Sequence, residues 1–329
     1  MRLSFFKSGG TILTALGIAL GASVSIPSQA SDYPSKPIQM IVAYGAGGST
    51  DTMARIFAKY AEKALGDRIV VVNKPGAGGE LGWVHLANAK PDGYTIGLIN
   101  SPVVEVYPFT RADTVGYAYE DIRPLANVVT DPGVLAVAAD SPYKTLDDLV
   151  SAAKEDPGSV TVSHEGVGGD DHLAALDFAE AADIKLNFVS FNGNAQATAA
   201  LLGGHIDAFE GNMSEAAAQI GEGKVRALAV WSDKRMDAIP DVPTGQEQGY
   251  DVMAAASRGL AVPADAPDEV YEKLLEVSKK VMENPDFEAE LAKLNMPLNP
   301  LYGQKYVDFL DASHDRLKAM WEKDPWIKQ

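Results

Sequence analysis

The sequence predicts an α/β protein of two similar lobes, each a mostly parallel sheet flanked by helices. Two observations predict it. From Lys36 onward, short apolar strands alternate with amphipathic helices, and the alternation restarts after residues 129–133. Glycine-rich turns also recur between strand and helix in both halves of the chain.

Each element follows from local pattern. Residues 38–44 (IQMIVAY) are apolar enough for a buried parallel strand. Met53, Ile56, Phe57, Tyr60, Ala61 and Leu65 then share one helical face, with Arg55, Lys59 and Glu62 opposite and Gly66 as the stop. Residues 69–72 form a second strand and 81–89 a second helix. A third strand, 94–99, follows the Pro91-Asp92-Gly93 turn. This βαβαβ order implies parallel pairing with helices on both faces. The second half reads as strands at 134–138, 160–163, 186–189, 206–209 and 225–231. Helices at 146–153, 171–182 and 195–202 lie between them. After Pro240 and Pro243 comes an apolar strand at 259–262, then helices at 268–282, 286–294 and 303–321. The chain is therefore expected to cross to the second lobe near 129–133 and return near 251–258, with the last helices on the first lobe. The division is residues 31–131 plus 255–329 for one lobe and 132–254 for the other. Two consecutive domains without the return crossing are the alternative.

The chain has 329 residues, 46% of them hydrophobic, enough for two cores. Its formal charge of −17 disfavours nucleic acid, which is bound by basic side chains that neutralise phosphate. A small anion remains compatible, because charge beyond a Debye length of roughly 8 Å is screened and local donors decide. Residues 1–30 read as a cleavable signal peptide. Arg2 and Lys7 are basic, residues 9–26 are apolar and uncharged, and Ser28-Gln29-Ala30 offers a cleavage site after Ala30. No later segment approaches the ~20 apolar residues that span a bilayer. Cysteine is absent, which removes thiol nucleophiles, disulfides and thiolate metal sites. The compartment indicated is the periplasm.

Four turns carry the expected chemistry: Gly45-Ala46-Gly47-Gly48-Ser49-Thr50-Asp51, Gly76-Ala77-Gly78-Gly79, Gly166-Val167-Gly168-Gly169-Asp170-Asp171 and Asn192-Gly193-Asn194-Ala195. In parallel α/β sheets such turns lie at the carboxyl edge, where ligands bind. Each offers free N–H groups and the positive end of a helix dipole, worth ~0.3–1 kcal/mol for an anion and up to ~2 when partly buried. Facing termini from two lobes would clamp a carboxylate without a cationic side chain. The same glycines could instead merely permit tight turns, with Ser49, Asp51 and Asp171 as helix caps.

Enzyme signatures are weaker. Gly45-x-Gly47-x-x-Thr50 and Gly76-x-Gly78-x-x-Leu81 lack the last small residue of the dinucleotide fingerprint. There is no Gly-Lys-Ser/Thr phosphate loop and no Gly-x-Ser-x-Gly elbow. His164, Asp170, Asp171 and His172 cluster, but the two histidines stand eight apart across a turn and nothing else supports a metal. No cofactor, metal or catalytic residue is assigned.

The segments YPSKPIQMIVAYGAGGSTDTMAR (33–55), VVNKPGAGGELG (71–82), KPDGYTIGL (90–98), GVGGDDHLA (166–174), FNGNAQATAALLGGHIDA (191–208), KVRALAVWSDKR (224–235) and IPDVPTGQEQGYD (239–251) resemble the Bug/TctC family. These are the extracytoplasmic receptors of tripartite tricarboxylate transporters, and the resemblance spans nearly the whole mature chain. It implies a two-lobed periplasmic-binding-protein fold of Venus-flytrap, type II-like form. It also implies a carboxylated solute between the lobes, and delivery to a membrane complex of one large and one small subunit by a monomeric receptor. Carried over by motif, the carboxylate site falls on Tyr44, Gly45, Ala46, Gly47, Gly48, Ser49, Thr50 and Asp51, on Gly78 and Gly79, and on Asn194 and Ala195. Gly168 of the third turn joins this set.

The chain departs from the family at Ser163-His164-Glu165, usually small and hydroxylated, and at Ser257-Arg258, where many members carry an aromatic residue. These positions are expected at the far end of the ligand. Arg258 would favour a second carboxylate and Glu165 an amino or hydroxyl group, unless the two simply pair or face solvent. Tricarboxylate, dicarboxylate, aromatic acid and amino acid all stay open. An exported enzyme on the same fold would need His164 and Glu165 as a perturbed pair in the cleft. A sensory receptor is a further alternative.

Overall fold

Apolar side chains at Ile38, Met40, Ile41 and Val42, all buried, let β1 (Ile38–Val42) sit in the middle of a sheet with helices on both sides. The computed structural model describes residues 33–326 apart from Asn192 and Asp324. The expected signal peptide, its cleavage after Ala30, and the Asn192 position of the fourth turn therefore lie outside the described residues.

β1 pairs in parallel with β2 (Ile69–Asn73) and β3 (Thr95–Ser101), and α1 (Ser49–Leu65) and α2 (Glu80–Ala87) make the crossovers. α1 stops where expected: Gly66 takes φ +77° and donates its N–H to the Glu62 carbonyl at 3.0 Å. Its buried stripe packs against α8 (Asp268–Met282) and α9 (Pro285–Ala292), with Phe57 and Tyr60 edge-on to Phe287 at 6.2 and 5.5 Å.

Parallel pairing covers only part of each sheet. β4 (Ile122–Ala138) is 17 residues long, and β9 (Ala255–Pro263) runs antiparallel to both β3 and β4. β10 (Leu298–Tyr302) adds to the other side of β4, also antiparallel, and Pro300 suits an edge strand. The far half of β4 pairs antiparallel with β7 (Ala208–Asn212) and β8 (Val225–Val230). β5 (Thr161–His164) joins β7 and β6 (Asn187–Ser190) in parallel. β4 thus belongs to both sheets. Pro132 is its last partner for β9, at Ala255, and Gly133 its first for β7, at Asn212. A Cβ at Gly133 would lie 2.7 Å from the Trp231 ring, so the switch point demands glycine.

Side-chain alternation along β4 splits the second-lobe core. Val134 and Ala136 face Leu201, Phe209 and Met213, whereas Leu135 and Val137 face Leu149, Phe178 and Trp231. The helices here are α4 (Leu146–Glu155), α5 (Asp170–Ala181), α6 (Asn194–Leu202) and α7 (Met213–Gly221). α4 and α7 each open with a capping box, Thr145 with Asp148 and Asn212 with Glu215.

Elements absent from the sequence-based expectation are α3 (Val103–Thr110), α7, β10 and the first half of β4. α3 is rich in valine and carries Pro108, so local propensity argues against it. Burial of Val104, Val106 and Tyr107 under α10 (Gln304–Lys323) holds it helical. Leu173 of α5 packs into the same cluster, so the two lobes touch along one side of the cleft.

Candidate functional site

A cavity of about 1040 Å³ lies between the lobes at the carboxyl ends of the parallel strands. The first lobe supplies the β1–α1 turn from Ala43 to Thr50, the 75–79 turn, and Asn100 at the end of β3. The second supplies Glu165, Asp170, the start of α6 and the start of α7. Ala256 and Arg258 of β9 also line it.

The first turn is fastened from behind. The Asp51 carboxylate accepts from the Gly47 amide (2.8 Å), from Arg55 Nε (3.0 Å) and Nη2 (2.9 Å), and from Asn73 Nδ2 (2.9 Å). Burial opposes its ionisation, but these donors outweigh burial and hold it below the usual carboxylate range. Gly47 takes φ +86°, which glycine favours; Gly48, at φ −75°, does not need to be glycine for its backbone. Positive φ is thus required at Gly47 and not at Gly48. The first amides of α1, at Ser49 and Thr50, have no intrahelical acceptor and stand at the cavity wall. Gly78 and Gly79 line the cavity too, but their backs are packed: a Cβ would come 2.1 Å from Tyr107 Oη or 2.8 Å from the Trp83 ring.

The second-lobe wall is acidic. The α6 amide at Asn194, expected to hold the ligand, instead donates to Glu165 Oε1 at 2.5 Å. Asp170 Oδ2 accepts from Asn212 Nδ2 at 2.8 Å, and Glu215 accepts from Ser49 Oγ across the cleft at 3.0 Å and from Asn194 Nδ2. Burial and then Asp170 push Glu165 up to about 7; burial and then Glu165 push Glu215 up to about 8. Burial also raises Asp170 and, reinforced by Asp170 and Glu165, raises Asp171 well above the usual range.

Arg258, on β9 of the first-lobe sheet, is the buried cation that meets this wall. Its side chain is 2% exposed, and Nη1 meets Asp131 Oδ2 at 2.7 Å. Nη2 donates to Ser49 Oγ and Asn212 Oδ1, each at 3.0 Å, and lies 3.9 Å from Glu215 Oε1. The pairing is with Asp131 and not, as one expected alternative had it, with Glu165.

The family model described as "Tripartite tricarboxylate transporter family receptor", TctC, matches residues 53–324. The chain belongs to this family. A UPF0065 protein from Cupriavidus necator is 33% identical over 326 residues, 98% of this chain and 97% of that protein. Among solved structures, the periplasmic binding protein BugD is similar with a TM-score of 0.80 and 29% identity, covering 90% of this chain and 100% of its own. MatC from Rhodopseudomonas palustris, solved with bound malate, has a TM-score of 0.77 and 25% identity, covering 86% of this chain and 98% of its own. The two-lobed α/β architecture is therefore that of TctC receptors.

In this TctC receptor, Tyr44, Gly45, Ala46, Gly47, Gly48, Ser49, Thr50, Gly78, Gly79, Glu165, Asn194, Ala195 and Arg258 line the cavity. Asp51, Ser163, His164 and Gly168 do not. Asp51 faces the turn it fastens. Ser163 Oγ is buried and accepts the Glu210 amide at 3.2 Å. His164 is buried with its ring 4.7 Å from that of His172, and burial lowers both histidines, His172 to about 4. Gly168, at φ +84°, closes against Val106 of α3, so its glycine serves contact between the lobes. Sequence reasoning missed Asn100, Asp131, Asn212, Ser214 and Glu215, and placed Asp170 in the third glycine turn and among metal candidates without assigning its side chain to the cavity. The Asn212-x-x-Glu215 spacing is a capping-box signal that marks a helix start at this edge.

Proposed function

We propose that this TctC receptor captures a small carboxylate-bearing solute in the periplasm, between its lobes, and delivers it to one large and one small membrane subunit of a tripartite tricarboxylate-type transporter. The observation that carries the reading is the α1 turn, whose open amides at Ser49 and Thr50 face a cavity walled by both lobes while Asp51 holds the turn rigid. Amides fixed in advance hold an anion without reorganisation. MatC, a relative with malate in its structure, supports the same class of solute. The lobes in this reading are residues 31–131 with 255–329, and 132–254; the change of β4 partners between Pro132 and Gly133 supports that division. The receptor acts as a monomer, is exported by the 1–30 segment, and turns nothing over. An enzyme reading needed His164 beside Glu165 in the cleft, and His164 is instead buried against His172 and Phe188.

Native mass spectrometry of the protein as purified, followed by thermal-shift screening of carboxylates, tests the proposal. One carboxylate should raise the melting temperature by several degrees and be recovered chemically unchanged. Turnover of that compound, or no response to any carboxylate, would overturn it.

A further inference from the structure

The acid wall holds more carboxyl groups than Arg258 can pair with. Asp131 already matches the guanidinium at 2.7 Å, with both side chains at most 2% exposed. Glu165, Asp170 and Glu215 are additional, and all three line the cavity. Lys293 also lines it, but is itself exposed to solvent.

A second observation is independent of those charges. Asn100 Oδ1 and Asn194 Oδ1, from residues of the cavity wall only 7% and 9% exposed, have no hydrogen-bond donor among the described residues. Asn194 Nδ2 is committed to Glu215 and Asn100 Nδ2 to Thr50 Oγ1 at 3.2 Å, so each amide oxygen is left as an acceptor. Buried acceptors without donors cost free energy that a ligand N–H would recover. Among the described residues Arg258 Nε is a buried donor of the wall without a partner, and a carboxylate suits it. The acids do not converge on a metal site: among the described residues no group of three or more His, Cys, Asp or Glu is placed to hold an ion. The fitting cation is one that brings its own N–H donors.

We propose that the solute carries a protonated nitrogen as well as a carboxylate, the carboxylate at the α1 turn and the ammonium against Glu165, Asp170 and Glu215. This rests on the carboxylate-receptor reading above and narrows its solute class to zwitterionic acids. In the empty cavity, burial and mutual repulsion favour protons on these carboxyls; Asp131, Asp171 and the more deeply buried Glu210 add to the repulsion, and Arg258 opposes it. An arriving ammonium reverses the balance and releases protons to solvent. A second carboxylate has the opposite sign: it would be held by protonated acids and would draw protons in.

The test is titration calorimetry of the mature protein with butyrate, succinate, 4-aminobutyrate and 2-aminobutyrate, and with the matching three- and five-carbon sets. Repeating it in buffers of different ionisation enthalpy counts protons. An amine-bearing member should bind about tenfold or more tightly than its matched diacid, with net proton release near neutral pH. Glu165→Gln and Glu215→Gln should each shrink the ratio of amine-bearing to monoacid affinity about tenfold. The wild-type proton count stands even if a variant folds poorly. Tighter diacid binding with proton uptake would overturn the zwitterion proposal and leave the carboxylate reading intact. Binding by none of these acids would overturn the zwitterion proposal, and the carboxylate reading falls with it when the broader carboxylate screen above also finds no ligand.

Discussion

Arg258→Met should destabilise the protein by about 3–5 kcal/mol, the cost of leaving one member of a buried ion pair uncompensated. The magnitude follows from the surroundings. Exposed pairs are worth ~0–1 kcal/mol, but the Arg258 and Asp131 side chains are only 2% and 0% exposed, so the buried case applies. Three hydrogen bonds are lost, to Asp131, Ser49 and Asn212. Counting each at ~1.5–3 kcal/mol would overshoot, because Asp131 keeps the Ser214 amide (3.2 Å) and hydroxyl (2.5 Å) as donors. Urea unfolding followed by fluorescence reads both lobes, through buried Trp83 in one and Trp231 in the other. Adding Asp131→Leu to the Arg258→Met background should recover much of the loss, since removing both charges of a buried pair is often close to neutral. A single-variant loss below ~1 kcal/mol, or a double variant no more stable than the single, would refute the assignment of Arg258 as a paired structural cation.

Three further outcomes are expected. Gly48→Val should fold, because Gly48 has φ −75° and its added Cβ meets only the Gly45 carbonyl at 3.6 Å; it should abolish solute binding by filling the cavity wall, and unchanged affinity by calorimetry would place the carboxylate elsewhere. Burial pushes Glu105 up to about 8, against hydrogen bonds from Ser101 Oγ at 2.7 Å, from its own backbone amide and from Ser313. Its folded pKa lies above the unfolded one, so its contribution is full below about pH 4.5 and lost as pH rises toward 8. Glu105→Gln should flatten the fall in unfolding free energy across that window relative to wild type, and an unaltered slope would contradict this. Small-angle scattering should show a smaller radius of gyration with saturating solute, through bending of β4 near Pro132 and of the chain entering β9 at Ala255; an unchanged radius would argue for a rigid receptor.

The first turn was legible because its chemistry is local. A buried strand, a Gly-rich turn and a polar residue before an amphipathic stripe lie within about one helical turn of each other. They fix where the open amides of α1 appear without reference to the rest of the chain. The same locality misled at Asp51 and Gly168. A short acid at a helix start looks like a ligand contact, and only the three-dimensional path shows Asp51 bent back onto Gly47 and Arg55. A glycine with positive φ looks like close approach to a ligand, whereas Gly168 approaches Val106 across the lobes.

By itself the sequence determined the alternation of strands and helices, the stops at residues such as Gly66, and the glycine-rich turn at the head of α1. All of these depend on side-chain period and backbone freedom over a few residues. Tertiary structure decided what depends on contacts far apart in the chain. Residue 258 was brought against residues 49, 131 and 212, and β4 was shared between two sheets. Glu165, Asp170 and Glu215 were gathered into one wall although up to fifty positions separate them. Charge repulsion and desolvation act through space rather than along the chain, so the acidity of that wall exists only once the fold has assembled it.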